Sequence, residues 1–165
     1  MKRVTLVLAI ILASLSSSFA QTKVSSGSSN LEVQVKRAVE NGSDVYVDLL
    51  ITSTGSLSFI EINTHSTASA TSGSGAGCRF YDDEGRMYQS GAESTMLFEI
   101  DGNRSYWFPK LVLEKGVPRK MRIIVKNVDE YATSFVSAHI RYLPDGSPFG
   151  SDEGTIVIKN LPISR

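Results

Sequence analysis

The stretch "DVYVDLLITS", Asp44 to Ser53, decides the fold. Val45, Val47 and Leu49 fall on one side of an extended chain, and Tyr46, Asp48 and Leu50 on the other. Successive side chains of a strand point to opposite faces, so this period of two predicts a half-buried β-strand. The same period recurs on both sides of it. "LEVQVKR" alternates Leu31, Val33 and Val35 with Glu32, Gln34 and Lys36. "LSFIEI" alternates Leu57, Phe59 and Glu61 with Ser58, Ile60 and Ile62, which leaves its buried face open. "RKMRIIVKNV" offers Met121, Ile123 and Val125 to one side. In "SFVSAHIRYL", Val136, Ala138, Ile140 and Tyr142 form the expected core face. Phe135, Ser137, His139 and Arg141 form its expected outer face.

Further strand signals lie in "CRFYDDEGRMYQ", "TMLFEI", "SYWFPKLVLEK" and "TIVIKNLPI". Polar glycine turns separate several of them: Asp101-Gly102-Asn103, Lys115-Gly116-Val117-Pro118 and Asp145-Gly146-Ser147. About nine strands at the roughly 8–12-residue spacing of antiparallel sandwiches predict an all-β protein. The best helical candidate is "NVDEYATSF", Asn127 to Phe135, where Asp129 suits the opening of a single turn. Neither an internal repeat nor a βαβ alternation is visible, which argues against a nucleotide-binding parallel sheet. "NTHSTASATSGSGAG", Asn63 to Gly77, has no bulky side chain beyond His65 and reads as a long flexible loop.

The chain opens on "MKRVTLVLAIILASLSSSFAQ". Lys2 and Arg3, an apolar run, and small residues at Ser18 and Ala20 are the parts of a secretory signal peptide, with cleavage expected before Gln21. The run is shorter than the roughly 20 apolar residues a bilayer span needs. Residues 1–20 are therefore expected to be removed, 21–30 to form a polar flexible leader, and 31–165 to fold as one β-sandwich domain. Without Lys2 and Arg3, 15 basic residues stand against 17 acidic ones. No basic face or polybasic run favours nucleic acid or an anionic membrane. Cys78 is the only cysteine, so no internal disulfide forms and the apolar core must hold the fold alone. Together these features predict a bacterial periplasmic or secreted protein.

Reactive constellations are weak. Asp82, Asp83 and Glu84 are adjacent, so their side chains diverge and cannot all converge on calcium. His65, His139 and Cys78 show no zinc-ligand spacing. No G-x-S-x-G elbow accompanies the serines, and "GSGAG" is followed by a strand signal instead of the helix a phosphate loop requires. No catalytic, cofactor-binding or metal-binding residue is assigned. The candidates for ligand contact are Tyr106, Trp107 and Phe108 in "YWFP". Alternation would put Tyr106 and Phe108 on one face and Trp107 on the other. Aromatic rings most often fill the core, but an exposed pair could stack on a sugar ring.

"CRFYDDEGRMYQ" reads as a hairpin. Asp82 and Gly85 suit the first and fourth positions of a type I turn, with Gly85 at positive φ. The register then pairs Tyr81 with Met87 and Phe80 with Tyr88. Asp82 would serve the turn amides or Arg86, Asp83 and Glu84 would face water, and Cys78 would join Phe80 and Tyr88 on a packed face.

The stretches "GSDVYVDLLITSTGS", "CRFYDDEGRMY", "LVLEKGVPRKMRIIVKNV" and "TIVIKNLPI" give the region from Leu31 to Ile163 a resemblance to small bacterial exported immunoglobulin-like sandwich domains of unknown function. The resemblance implies an antiparallel immunoglobulin-like sandwich in an extracytoplasmic setting, and carries no catalytic residue. The two cysteines flanking a tryptophan of antibody domains are absent. The function expected is a non-enzymatic accessory or binding domain, with a protein or glycan partner. A carbohydrate-binding module and an adhesin or surface-assembly subunit are the alternatives. A hydrolase built on His139 with a serine and an acid is a more distant one.

Overall fold

The computed structural model describes residues 21–65, 77–91, 95–145 and 153–165. The expected signal peptide and positions 66–76 of the expected loop lie outside the described residues. Twelve strands follow one another in the described chain. They are β1 (Lys23–Ser25), β2 (Leu31–Asn41), β3 (Asp44–Ser53), β4 (Phe59–Ile62), β5 (Arg79–Asp82) and β6 (Met87–Gln89). Then come β7 (Met96–Ile100), β8 (Asn103–Ser105), β9 (Lys110–Val112), β10 (Arg119–Val125), β11 (Ser134–Pro144) and β12 (Gly154–Pro162). The count exceeds nine because β1 and β8 are three-residue ladders too short to show a period in sequence, and the stretch Cys78 to Gln89 supplies two strands, β5 and β6.

The strands build two antiparallel sheets. One has the order β2-β3-β10-β7-β8. The other runs β1-β12-β11-β4-β9, with β5 and β6 beside the first half of β11. Their inner faces share one apolar cluster, which includes Val47, Leu49, Ile51, Phe98, Met121 and Ile123 from one sheet and Ile60, Ile62, Phe80, Ile140, Ile156 and Ile158 from the other. The architecture is thus an all-β sandwich. Ile60 and Ile62 settle the buried face of β4. The turn at Asp101-Gly102 joins β7 and β8 through a two-residue hairpin with φ of 51° and 82° at those positions. Positive φ at both central residues is the geometry that matches the twist of the flanking strands.

Two strands change phase midway. In β2 the pairing with β3 shifts between Val35 and Arg37, so Lys36 is passed over and Arg37 is set against Asp48. The extra residue re-aims Arg37 onto the outer face and brings Ala38 into the core. In β11 the pairing with β5 shifts between Phe135 and Ser137. Phe135 is fully buried and Val136 is 43% exposed, the reverse of the alternation expected for this end of the strand. Beyond the bulge, Ala138, Ile140 and Tyr142 face the core as expected. The neighbouring β12 changes phase at Asn160, which has a φ of 55°, so Leu161 stays buried opposite Phe135.

The segment expected as a flexible leader supplies β1, which pairs with Ser25 opposite Val157 and Lys23 opposite Lys159. A buried tyrosine anchors it: the Tyr142 hydroxyl donates to the Ser26 carbonyl at 3.0 Å. Gly154 lies directly against the Tyr142 ring, where a Cβ would collide. No helix forms over Asn127–Phe135; Asp129 instead closes a single turn, accepting from the Tyr131 amide on its side chain and from the Ala132 amide on its carbonyl.

Candidate functional site

The aromatic segment Tyr106–Pro109 is a loop between β8 and β9, not the strand its alternation suggested. Pro109 has no amide to give a ladder, and Ser105 takes over the local bonding. Its hydroxyl accepts from the Trp107 amide at 3.1 Å and donates to the Trp107 carbonyl at 2.8 Å. The loop is tied to the start of the β4–β5 connection. The Phe108 amide donates to Thr64 Oγ1 at 3.1 Å, and the Ile62 amide to the Pro109 carbonyl at 2.9 Å. Thr64 is itself fully buried and accepts from the Ser90 hydroxyl on its carbonyl.

This fixed loop displays its rings. Trp107 is 54% and Tyr106 38% exposed. Phe108 is half-buried and stacks on His65, with ring centroids 6.4 Å apart and planes 19° from parallel. Lys126 lies over the Tyr106 ring at 4.9 Å and also reaches its hydroxyl at 2.5 Å. Among the described residues, the non-glycine positions at positive φ are Asp101, Asn127, Asp145, Asn160 and Phe108. The first four are the short polar residues that tolerate this region, whereas a bulky Phe108 at 40° is a strained outlier held by its surroundings.

The hairpin of β5 and β6 has the expected register, with Phe80 opposite Tyr88 and Tyr81 opposite Met87. Gly85 has a φ of 84° and its amide reaches the Asp82 carbonyl at 3.3 Å. Asp82 is buried and accepts from the amides of Glu84 and Arg86 at 3.1 and 2.7 Å and from the Tyr88 hydroxyl at 2.7 Å. The Arg86 guanidinium goes elsewhere, to Asp129 at 3.3 Å. Asp83 does more than face water. It accepts from the Thr133 and Ser134 amides and the Thr133 hydroxyl, and so pins the start of β11. Burial pushes the Asp83 carboxyl up, but these bonds outweigh it and hold it below its ordinary value. Both carboxylates are thus committed to the backbone. Among the described residues, no three His, Cys, Asp or Glu side chains come together as a metal site.

Cys78 is fully buried on the same face as Phe80 and Tyr88, and its thiol donates to the Asn63 carbonyl at 3.5 Å. Burial pushes the thiol up to about 12, against the opposing pull of the Arg141 carbonyl contact and Ser90. A protonated, shielded thiol is a poor nucleophile. Native protein is therefore expected to resist an aromatic disulfide reagent, with full labelling only in denaturant. Stoichiometric labelling within minutes in buffer would contradict this burial.

His139 is half-buried on the outer face of β11, and its Nε2 lies 2.8 Å from the Ser137 hydroxyl. Burial lowers its pKa, and the charges of Lys159 and Arg79 lower it further. The groups that act on the ring are cations. Among the described residues no carboxylate bonds to it, so the third member of a Ser-His-acid relay is not assembled.

The outer face of the five-stranded sheet carries a feature the sequence reading missed. One register row runs Arg37, Asp48, Arg122, Glu99, Arg104 across β2, β3, β10, β7 and β8. The signs alternate. Arg37 Nε and Arg122 Nε each lie 2.7 Å from the Asp48 carboxylate, with Lys120 at 3.6 Å. Arg122 also lies 3.7 Å from Glu99, which takes Arg104 at 2.9 Å. Asp48 is left only 3% exposed although it faces away from the core. Burial raises its pKa, yet the bonds from Arg122 and Arg37 and the charges of Arg122 and Lys120 prevail and hold it at about 2.

No protein-family model matches the chain, and no curated protein matches it.

Proposed function

We propose that this is a non-enzymatic binding domain of the immunoglobulin-like kind, exported by a bacterium to the periplasm or beyond, and that it grips a glycan through Tyr106, Trp107 and Phe108. The single observation that supports the ligand class is the exposure of Trp107 and Tyr106 on a loop fixed by hydrogen bonds at both ends. Large exposed rings on a rigid support give contact area at little entropic cost, and their flat faces suit the apolar face of a sugar ring. His65, stacked on Phe108, adds a polar edge beside them. The alternating charge row, by contrast, is internally neutralised and fits a structural duty.

A glycan array followed by isothermal titration calorimetry tests this reading. Trp107→Ala is expected to weaken binding at least about tenfold, as loss of an aromatic anchor does. Its unfolding midpoint should stay near that of the parent, since an exposed substitution changes stability by only about 0.5 kcal/mol. Absence of any glycan ligand, or unchanged affinity in Trp107→Ala, would remove the proposal.

A further inference from the structure

The two outer faces treat their cations differently. On the five-stranded sheet, the arginines of the central row each have a carboxylate. On the seven-stranded sheet, Arg141 is paired with Glu153, but Lys23, Lys159 and Arg79 have no ion pair among the described residues. These three lie on one face. Lys23 is opposite Lys159, Lys159 is opposite Ser137, and Ser137 is opposite Tyr81. In the next row of the same face, His139 is opposite Arg79. Lys23 and Lys159 are exposed, while Ser137, Tyr81 and Arg79 are half-buried. Arg79 Nε is buried without any hydrogen-bond partner. That N–H is shut away from water and left unpaired, which is costly, while the guanidinium nitrogens at the end of the half-buried side chain remain for a bound anion.

We propose that this face of the seven-stranded sheet is a docking surface for an extended anionic polysaccharide, bearing carboxylates or sulfates, held by Lys23, Lys159 and Arg79. The strands β1, β12, β11, β5 and β6 lie side by side there, and at roughly 4.8 Å per strand the rows run for about 19 Å. That is a flat track, not a pocket, and suits a polymer. The charges attract the acid groups, Arg79 can take a carboxylate or sulfate through parallel N–H bonds, and Ser137 and Tyr81 between the cations offer a hydroxyl and a ring to the sugar. Three unpaired cations are few for a nucleic acid, whose affinity grows with the number of phosphates neutralised, and few for an anionic bilayer. Lys23, Lys159 and Arg79 lie on β1, β12 and β5 and none belongs to the Trp107 loop, so the two can be tested apart.

Affinity electrophoresis of the purified protein in gels containing polygalacturonate, dextran sulfate or neutral dextran provides the test. Retardation is expected with at least one anionic polymer and not with dextran, and should fade between ~50 and ~300 mM salt as charges are screened. The combined variant Lys23→Gln, Lys159→Gln, Arg79→Gln is expected to lose at least about tenfold in affinity, the loss of several charge-assisted contacts. Lys36→Gln, which removes an exposed lysine from the other sheet, should bind the anionic polymer as the parent does. Because Lys23 and Lys159 are exposed, Lys23→Gln with Lys159→Gln alone gives a partial loss that cannot be blamed on misfolding. The proposal is overturned if neither anionic polymer retards the parent, if the charge variants bind equally well, or if vesicles of phosphatidylglycerol or single-stranded DNA bind more tightly than both polymers.

Discussion

Phe135→Ala is expected to lower stability by about 3–5 kcal/mol, the range for emptying a buried phenylalanine site. Phe135 is fully buried, and it meets Phe80 edge-on at 5.0 Å and Tyr88 edge-on at 6.1 Å. Those neighbours belong to β5 and β6, which sit off the main path of their sheet and reach it through β11. Truncation therefore removes apolar burial, two aromatic contacts and the reason for the bulge at Val136 together. Neighbours anchored on two paired strands cannot easily close the space. Urea unfolding followed by fluorescence reads the change as a shift in midpoint at constant slope. A loss under about 1 kcal/mol would mean that the site relaxes around the deletion and that Phe135 is not a keystone of this end of the core.

The second large effect is expected at Asp48. Removing one member of a shielded ion cluster leaves the others uncompensated, typically at about 3–5 kcal/mol. Asp48→Ala should fall near the lower end, about 3 kcal/mol, because the Arg37 side chain is 56% exposed and can turn to water while Arg122 is 18% exposed and cannot do so freely. Acid exposes the same linkage without mutation. The folded carboxyl titrates at about 2 against an ordinary 3.8. A depressed pKa contributes stability that is complete above the ordinary value and is lost as pH falls through the folded one, here roughly 2 kcal/mol between about pH 5 and pH 2. The acid slope of the parent should flatten in Asp48→Ala. If parent and variant lose stability in parallel below pH 5, the cluster contributes nothing to the acid limb. A companion variant, Asp48→Leu with Arg122→Leu, should recover much of the loss, since apolar side chains often replace a shielded pair without penalty.

Strand positions were legible because their period of two is local. The hairpin register at Asp82-Gly85 was legible for the same reason, since turn chemistry sits within a few residues. Phase changes were not. Nothing around Lys36 or Val136 marks an extra residue, so Phe135 was expected outside and Val136 inside, the opposite of what the bulge produces. The charge row was also hidden. Arg37 and Arg122 lie 11 and 74 positions from Asp48, and only the order of strands in the sheet brings them together. Tyr106–Phe108 mimicked a strand by its ring pattern, although Ser105 and Pro109 at its borders are loop formers. The serines of residues 21–30 carry no sign that Tyr142, more than a hundred positions on, holds the segment from below.

The alternating row has a consequence for how the five-stranded sheet finds itself. Apolar alternation rejects a strand that slides by one residue, because its core face would turn to water. It is blind to a slide by two, which restores the same face. The charge row is not blind to it. If β10 moved two residues along β3, Arg122 would meet Tyr46 or Leu50 in place of Asp48, and its guanidinium would lose that carboxylate while Asp48 kept Arg37 of β2. Hydrophobicity thus checks the odd steps and electrostatics the even ones, and a chain lacking Asp48 would lose an error check as well as stability.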